Sequence, residues 1–188
     1  HGVDVDLSHM CNLLHLDETS LLVSVQAGIH FEALERQLAE RGLLVGAVPP
    51  WSRVRTLGAL LGAPRPSEAS PRLGRFVQTC VGIQALLPDG TEIATRLAPR
   101  KATGPDLMHV ILGARGTLGL ITAAPLRVER RQEVRRSAAF QLPALPAALS
   151  AARALLVRGG RPTELSVAAA GVLSLHTDGP EPLVAAEI

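Results

Sequence analysis

The chain has 188 residues, 47% hydrophobic and 19% charged, enough for one packed domain or one domain with part of another. Nineteen Lys and Arg against seventeen Asp and Glu leave a formal charge of only +2, and three Phe, one Trp and no Tyr offer little to stack on bases, which argues against a nucleic-acid partner. The longest apolar runs, Leu43 to Pro50 and Gly116 to Leu126, are broken by Gly or Pro well short of the roughly 20 residues of a membrane span. No transmembrane segment is expected, and the reading is a soluble globule. Ser20 to Ala27 (SLLVSVQA) alternates and predicts a strand ending at Gly28. From Phe31 to Arg41 the apolar positions Phe31, Leu34, Leu38 and Ala39 recur at helical spacing, Glu32 and Glu35 load the first half, and Gly42 supplies a stop. Leu43 to Val48 reads as a short strand. Pro49-Pro50-Trp51-Ser52 then forces an extended entry into a loop, and Thr56 is placed to cap the short turn TLGALLG.

Ala63 to Pro71 (APRPSEASP) reads as an irregular surface loop. A hairpin is expected next, Val77 to Leu87 against Thr91 to Leu97, around the turn Pro88-Asp89-Gly90. Gly104-Pro105-Asp106 opens a helix to about Leu112, and Thr117 to Val128 is the closing strand. The cluster Arg127, Arg130, Arg131, Arg135 and Arg136 reads as a solvated segment joining two elements. After it the pattern restarts, with a strand at Ser137 to Leu142 and another at Glu164 to Ala170. Between them lies a helix at Leu145 to Val157 with its apolar stripe on Leu145, Leu149, Ala152 and Leu156, ended by Gly159-Gly160. This β-α-β start predicts an incomplete second domain.

No charged n-region with an apolar h-region follows His1, so no signal peptide is read, and the chain is expected to be cytoplasmic and a fragment. Cys11 and Cys80 form one distant pair without metal-like spacing, expected to be buried free thiols. No metal site is expected.

The stretch Gly104 to Thr122, GPDLMHVILGARGTLGLIT, sets Gly113, Gly116 and Gly119 at intervals of three between a helix-like and a strand-like run. On spacing alone this fits a helix C-cap followed by a tight turn. The order is the reverse of the dinucleotide fingerprint, in which a Gly-rich turn leaves a strand and enters a helix, so a Rossmann site is disfavoured. A backbone without side chains still lets a flat or charged cofactor lie against its N–H groups.

The ordered set VSVQAG, LERQLAERGL, PPWSRVRTLGALLG, LLPDG and PRKATGPDLMHVILGARGTLGLIT resembles the FAD-binding domain of the FAD-linked oxidases, the vanillyl-alcohol oxidase type. It is most similar to the alkyldihydroxyacetonephosphate synthase branch, and the resemblance covers roughly Val3 to Ala170. It implies an α+β fold, the second subdomain of such an FAD-binding domain over residues 1–132, followed by the start of an α/β cap over residues 133–188. It implies FAD as the cofactor, along the loop Pro49 to Arg55 with Pro49, Pro50 and Ser52, the turn Thr56, Leu57 and Gly58, and the segment Arg115 to Ile121 with Gly116, Thr117, Leu118, Gly119, Leu120 and Ile121. On this reading Gly116 and Gly119 keep space where a Cβ would obstruct the cofactor.

Several positions depart from the family's pattern. The Gly-rich phosphate loop of the family is expected to precede VDVDLSHM and so to lie outside these residues for the most part. Thr-hydrophobic-Gly-Gly becomes Thr56-Leu57-Gly58-Ala59, Gly-Ser-Glu-Gly becomes Gly113-Ala114-Arg115-Gly116, and the FAD-contacting segment after the Gly turn reads Ala63-Pro64-Arg65-Pro66. Ser166 stands where the synthase branch carries an arginine, and Ala169-Ala170 where it carries an acid and an amide. His30, His109 and His176 read as single histidines without partners, and no catalytic residue is assigned.

Two functions from different classes follow. One is an FAD-dependent oxidoreductase, oxidising an alcohol or 2-hydroxy acid, or doing alkyl-exchange chemistry like the synthase, in the complete protein. The other is an inactive remnant or accessory module that has lost FAD and serves a partner subunit. A simple truncation would expose apolar edges and predicts homo-oligomerisation.

Overall fold

The computed structural model describes residues 5–46, 48, 52–65, 69–95, 106–132 and 134–179. The chain divides into two compact units, one of residues 1–68 and 75–130, the other of 69–74 and 131–188. The fold is mixed helix and sheet.

The first unit is built on a five-stranded sheet in the order β1-β2-β8-β6-β7, with every neighbouring pair antiparallel. Its strands are β1 (Leu13–Asp17), β2 (Leu22–Gln26), β6 (Gln84–Leu86), β7 (Glu92–Ala94) and β8 (Leu120–Arg127). The alternation seen in SLLVSVQA has its cause in β2, where Val23 and Val25 are fully buried. Helix α1 (Phe31–Ala39) buries Phe31, Leu34 and Leu38, and Gly42 follows at φ +65. Phe31 meets Phe76 edge to face at 5.3 Å between ring centroids, with Leu57, Leu60, Leu61, Ile83 and Leu126 in the same core.

Several elements are shorter than expected. The strand after Gly42 is only β3 (Leu43–Leu44), paired with β9 (Glu129–Arg130). The loop Ala63 to Pro71 contains a two-residue strand, β4 (Ala69–Ser70), followed by β5 (Gly74–Arg75). Residues Phe76–Thr79 form a 3-10 turn where a strand was expected, because Gln78 Oε1 accepts from the Arg75 N–H at 2.8 Å and holds the chain in a turn. The Pro88-Asp89-Gly90 turn forms as expected, with Gly90 at φ +85 and Asp89 accepting from the Thr91 N–H at 2.9 Å.

In the second unit, β10 (Val134–Gln141), β12 (Val172–Gly179) and β11 (Glu164–Val167) make an antiparallel sheet in that order. The inserted β12 takes the middle place, so β10 and β11 do not touch. Helix α4 (Leu145–Val157) has the expected limits but a different buried face. Ala148 and Ala152 pack against Leu173, while Leu145, Leu149 and Leu156 are exposed, so the expected stripe is corrected except at Ala152. Small residues on the inner face let the helix lie close to its sheet. Arg135 and Arg136 belong to β10 instead of a connecting segment, and Arg135 pairs with Glu164 (3.3 Å) and Asp178 (3.6 Å).

Candidate functional site

Helix α2 (Leu57–Gly62) and the turn after α3 (Leu107–Ile111) come together in the first unit and frame a cavity of about 330 Å³. Thr56 starts α2, its hydroxyl accepting from the Ala59 N–H at 3.3 Å. The helix is docked on the end of β2 by main-chain bonds, Leu57 N–H to Ile29 O at 2.9 Å and Gly58 N–H to Ala27 O at 2.7 Å. Glycine is required at 58 for this approach, since a Cβ would stand 3.2 Å from both Ala27 Cβ and Ala27 O. Arg55 reaches over the far end of α2 and donates to the Ala59 and Ala63 carbonyls, the latter at 2.9 Å.

Opposite, Asp106 caps α3 by accepting from the Met108 N–H at 3.1 Å. The chain then turns through Gly113 (φ +80), Arg115 (φ +54) and Gly116 (φ +79) into β8. Two bonds tie this turn to the end of α2, Gly113 N–H to Leu61 O at 3.0 Å and Arg115 N–H to Gly62 O at 2.9 Å. The N–H groups of Gly116, Leu118 and Gly119 make no hydrogen bond among the described residues.

The three glycines have separate physical causes. Gly113 and Gly116 satisfy left-handed backbone angles, and a Cβ at Gly116 would meet nothing within 4 Å. At Gly119 a Cβ would stand 3.1 Å from Leu86 O and 3.2 Å from Leu87 Cδ2. Close packing against the neighbouring strand is thus one reason for a bare residue at Gly119, and both Gly116 and Gly119 line the cavity.

Of the twelve residues expected along the cofactor, Thr56, Gly58, Gly116, Gly119, Leu120 and Ile121 line the cavity. Leu57 and Ser52 are fully buried, Leu57 within the core. Thr117 turns its hydroxyl to Ala114 O at 2.6 Å, and Leu118 is exposed. Pro49 and Pro50 lie outside the described residues, as does the motif PRKATGP. The sequence reading missed Leu7, Gly62 and Ile111 as lining residues and noted Ala59 and Ala63 only as departures from a pattern, while Arg115, the first residue of the segment expected along the cofactor, does line the cavity. Gly62 and Ile111 follow from helical spacing once α2 and α3 are drawn; Leu7 carries no local signal, being brought in by Gly28 N–H to Met10 O at 2.9 Å and Met10 N–H to Leu7 O at 2.8 Å.

Among the described lining residues Arg115 carries the only charge; the walls are aliphatic side chains and glycine backbone. The described lining residues offer an apolar slot, main-chain donors, the Thr56 hydroxyl and one cation, and none of them is a carboxylate, histidine or cysteine.

The histidines are not without partners. His30 Nδ1 lies 2.8 Å from Val54 O, His109 Nδ1 lies 2.8 Å from Asp106 Oδ2, and His176 Nδ1 lies 2.6 Å from Ser137 Oγ. No group of three His, Cys, Asp or Glu side chains among the described residues is placed to hold a metal ion. Cys11 is exposed, contrary to expectation; Cys80 is buried, and both are free. No helix among the described residues is long and apolar enough to cross a membrane.

Residues 1–96 match the profile of a family described as FAD binding domain. The FAD-linked oxidoreductase YgcU of Escherichia coli (strain K12) is 30% identical over 128 residues, 68% of this chain and 26% of its own length. Alkyldihydroxyacetonephosphate synthase of Caenorhabditis elegans is 26% identical over 87% of this chain and 27% of its own. D-lactate dehydrogenase [cytochrome] 1, mitochondrial, of Saccharomyces cerevisiae (strain ATCC 204508 / S288c) is 32% identical over 66% of this chain and 21% of its own. A solved structure of alkyldihydroxyacetonephosphate synthase shares the fold, with a TM-score of 0.82 at 23% identity over 97% of this chain and 39% of that one. The chain thus spans about a quarter of the length of the curated relatives it matches. It belongs to the FAD binding domain family of the FAD-linked oxidoreductases, and the cofactor of that domain is FAD.

Proposed function

We propose that this chain holds FAD in the cavity between α2 and the glycine turn, in a protein that oxidises an alcohol or a 2-hydroxy acid. The observation that carries this reading is the pairing of an apolar slot with the unpaired main-chain donors of Gly116, Leu118 and Gly119. These features fit part of a flavin dinucleotide. The cavity, about 330 Å³, falls at the low end of the range of small-molecule sites, about 300–1,000 Å³. Ile111, Leu120 and Ile121 form walls that exclude water from a flat ring, and the N–H groups take its hydrogen-bond acceptors.

On this reading Thr56, Gly58, Gly116, Gly119, Leu120 and Ile121 lie against the cofactor. Ser52, Leu57, Thr117 and Leu118 flank or back them, and Pro49 and Pro50 precede Ser52 in the sequence. Residues 1–132 are the cofactor-holding part, and residues 133–188 the start of a cap that bears on the substrate. FAD, when bound, supplies a hydride acceptor. The relative that acts on D-lactate makes a 2-hydroxy acid the first substrate to try. Ser166 favours oxidation over synthase-like alkyl exchange, because it sets an exposed hydroxyl on β11 where the synthase branch carries a cation.

Anaerobic mixing of the FAD-loaded protein with D-lactate, other 2-hydroxy acids and simple alcohols tests the reading. Bleaching of the visible flavin band by one of them is the expected result. A retained flavin that none of them reduces points to non-redox chemistry, and a protein that retains no flavin is the inactive module.

A further inference from the structure

Arg115 sits at the rim of the cavity and is the one cation among the described residues that line it. It is exposed, it lines the cavity, and no carboxylate among the described residues shares that lining. It has no ion pair among the described residues, whereas Arg41 and Arg135 are paired with carboxylates. Its backbone is held at φ +54, a left-handed angle that is unfavourable for a residue with a side chain. The bond from its N–H to Gly62 O at 2.9 Å fixes it there. Directly after it come the unpaired N–H groups of Gly116, Leu118 and Gly119. One free guanidinium beside several free main-chain donors, over an apolar slot, is the chemistry of an anion with several acceptor oxygens attached to a flat ring.

We propose that Arg115 binds the phosphate-bearing half of FAD at the rim of this cavity. The inference rests on reading the cavity as the flavin site. A guanidinium meets a phosphate through two parallel N–H bonds, so it contributes direction as well as charge, and a lysine at the same place supplies charge alone.

Calorimetric titration of the intact chain with FAD, ADP and riboflavin, for the wild type, R115Q and R115K, is the test. ADP carries the diphosphate without the flavin ring, and riboflavin the ring without phosphate. R115Q is expected to weaken FAD and ADP about tenfold each and to leave riboflavin unchanged, with R115K recovering part of the loss. Added salt should narrow the gap between wild type and R115Q. R115G removes the charge while relieving the positive φ, so it keeps the comparison available if R115Q folds poorly. Equal FAD affinity in wild type and R115Q, or an equal loss for riboflavin, overturns the role of Arg115 and leaves the flavin site standing. A wild type that binds none of the three overturns the flavin reading and this inference with it.

Discussion

Glycine replacements separate the two reasons for a missing side chain. At Gly28 a Cβ would overlap the Leu7 carbonyl oxygen and stand 2.9 Å from that of Met10, so G28A must push residues 7–10 off the end of β2. A loss of about 2–4 kcal/mol is expected in thermal or denaturant unfolding, together with weaker flavin retention, because Leu7 lines the cavity. G116A faces open space and should cost only about 1 kcal/mol of backbone strain. The thiols divide in the same way. Cys11 is exposed and should react at once with a thiol reagent, and Cys80 only when the fold opens. Burial pushes the Cys80 thiol from its ordinary 9.0 up to about 11. The unfolded chain therefore gives up this proton first. Between pH 9.0 and about 11 the folded state holds more protons, and stability should fall as pH rises through that window. Unfolding of C80A should lack that part of the decline.

Elements whose ends carry strong punctuation were legible, and those defined by tertiary partners were not. Helix α4 begins with Pro146 in its first turn and ends before Gly159 at φ +96, so its limits could be read without a fold. Which face it buries could not, because Leu145, Leu149 and Leu156 form as good a stripe as Ala148 and Ala152, and only the sheet beneath decides. L149Q is accordingly expected to change stability by less than about 0.5 kcal/mol, while A152L overpacks the helix against its sheet and costs about 1–3 kcal/mol. Denaturant midpoints of the two variants check this. Strand β1 gives no clean alternation, since Leu13 and Leu16 pack inward while Leu14 is exposed, and its register shifts beside β2. Strand β12 does alternate, Leu173 and Leu175 buried against Ser174 and His176, but Gly171 and Ala168 to Ala170 interrupt the pattern just before it.

On the scale of the molecule, the cavity draws on three separated stretches of chain: Leu7, Thr56 to Ala63, and Ile111 to Ile121. Two of the three carried visible motifs, which is why half of the expected contacts lie along it. Of the others, Pro49 and Pro50 lie outside the described residues, and Ser52, Leu57, Thr117 and Leu118 stand off the lining for local reasons. Helix α2 buries Leu57, Leu60 and Leu61 at spacings of three and four, which puts Leu57 in the core between Thr56 and Gly58 at the cavity. Arg115 is the informative residue in this set, a departure from pattern that the fold brings to the rim of an otherwise uncharged slot. The central claim is that this slot holds flavin, and filling it is the most direct challenge. Ala59 lines the cavity and is exposed, so A59F should occupy the space with little effect on the core. Gel filtration of both proteins after incubation with excess FAD, with the flavin spectrum recorded across the protein peak, is the measurement. The account predicts a perturbed flavin band that co-elutes with the wild type and is lost with A59F at unchanged melting temperature; flavin retained equally by both, or by neither, would contradict it.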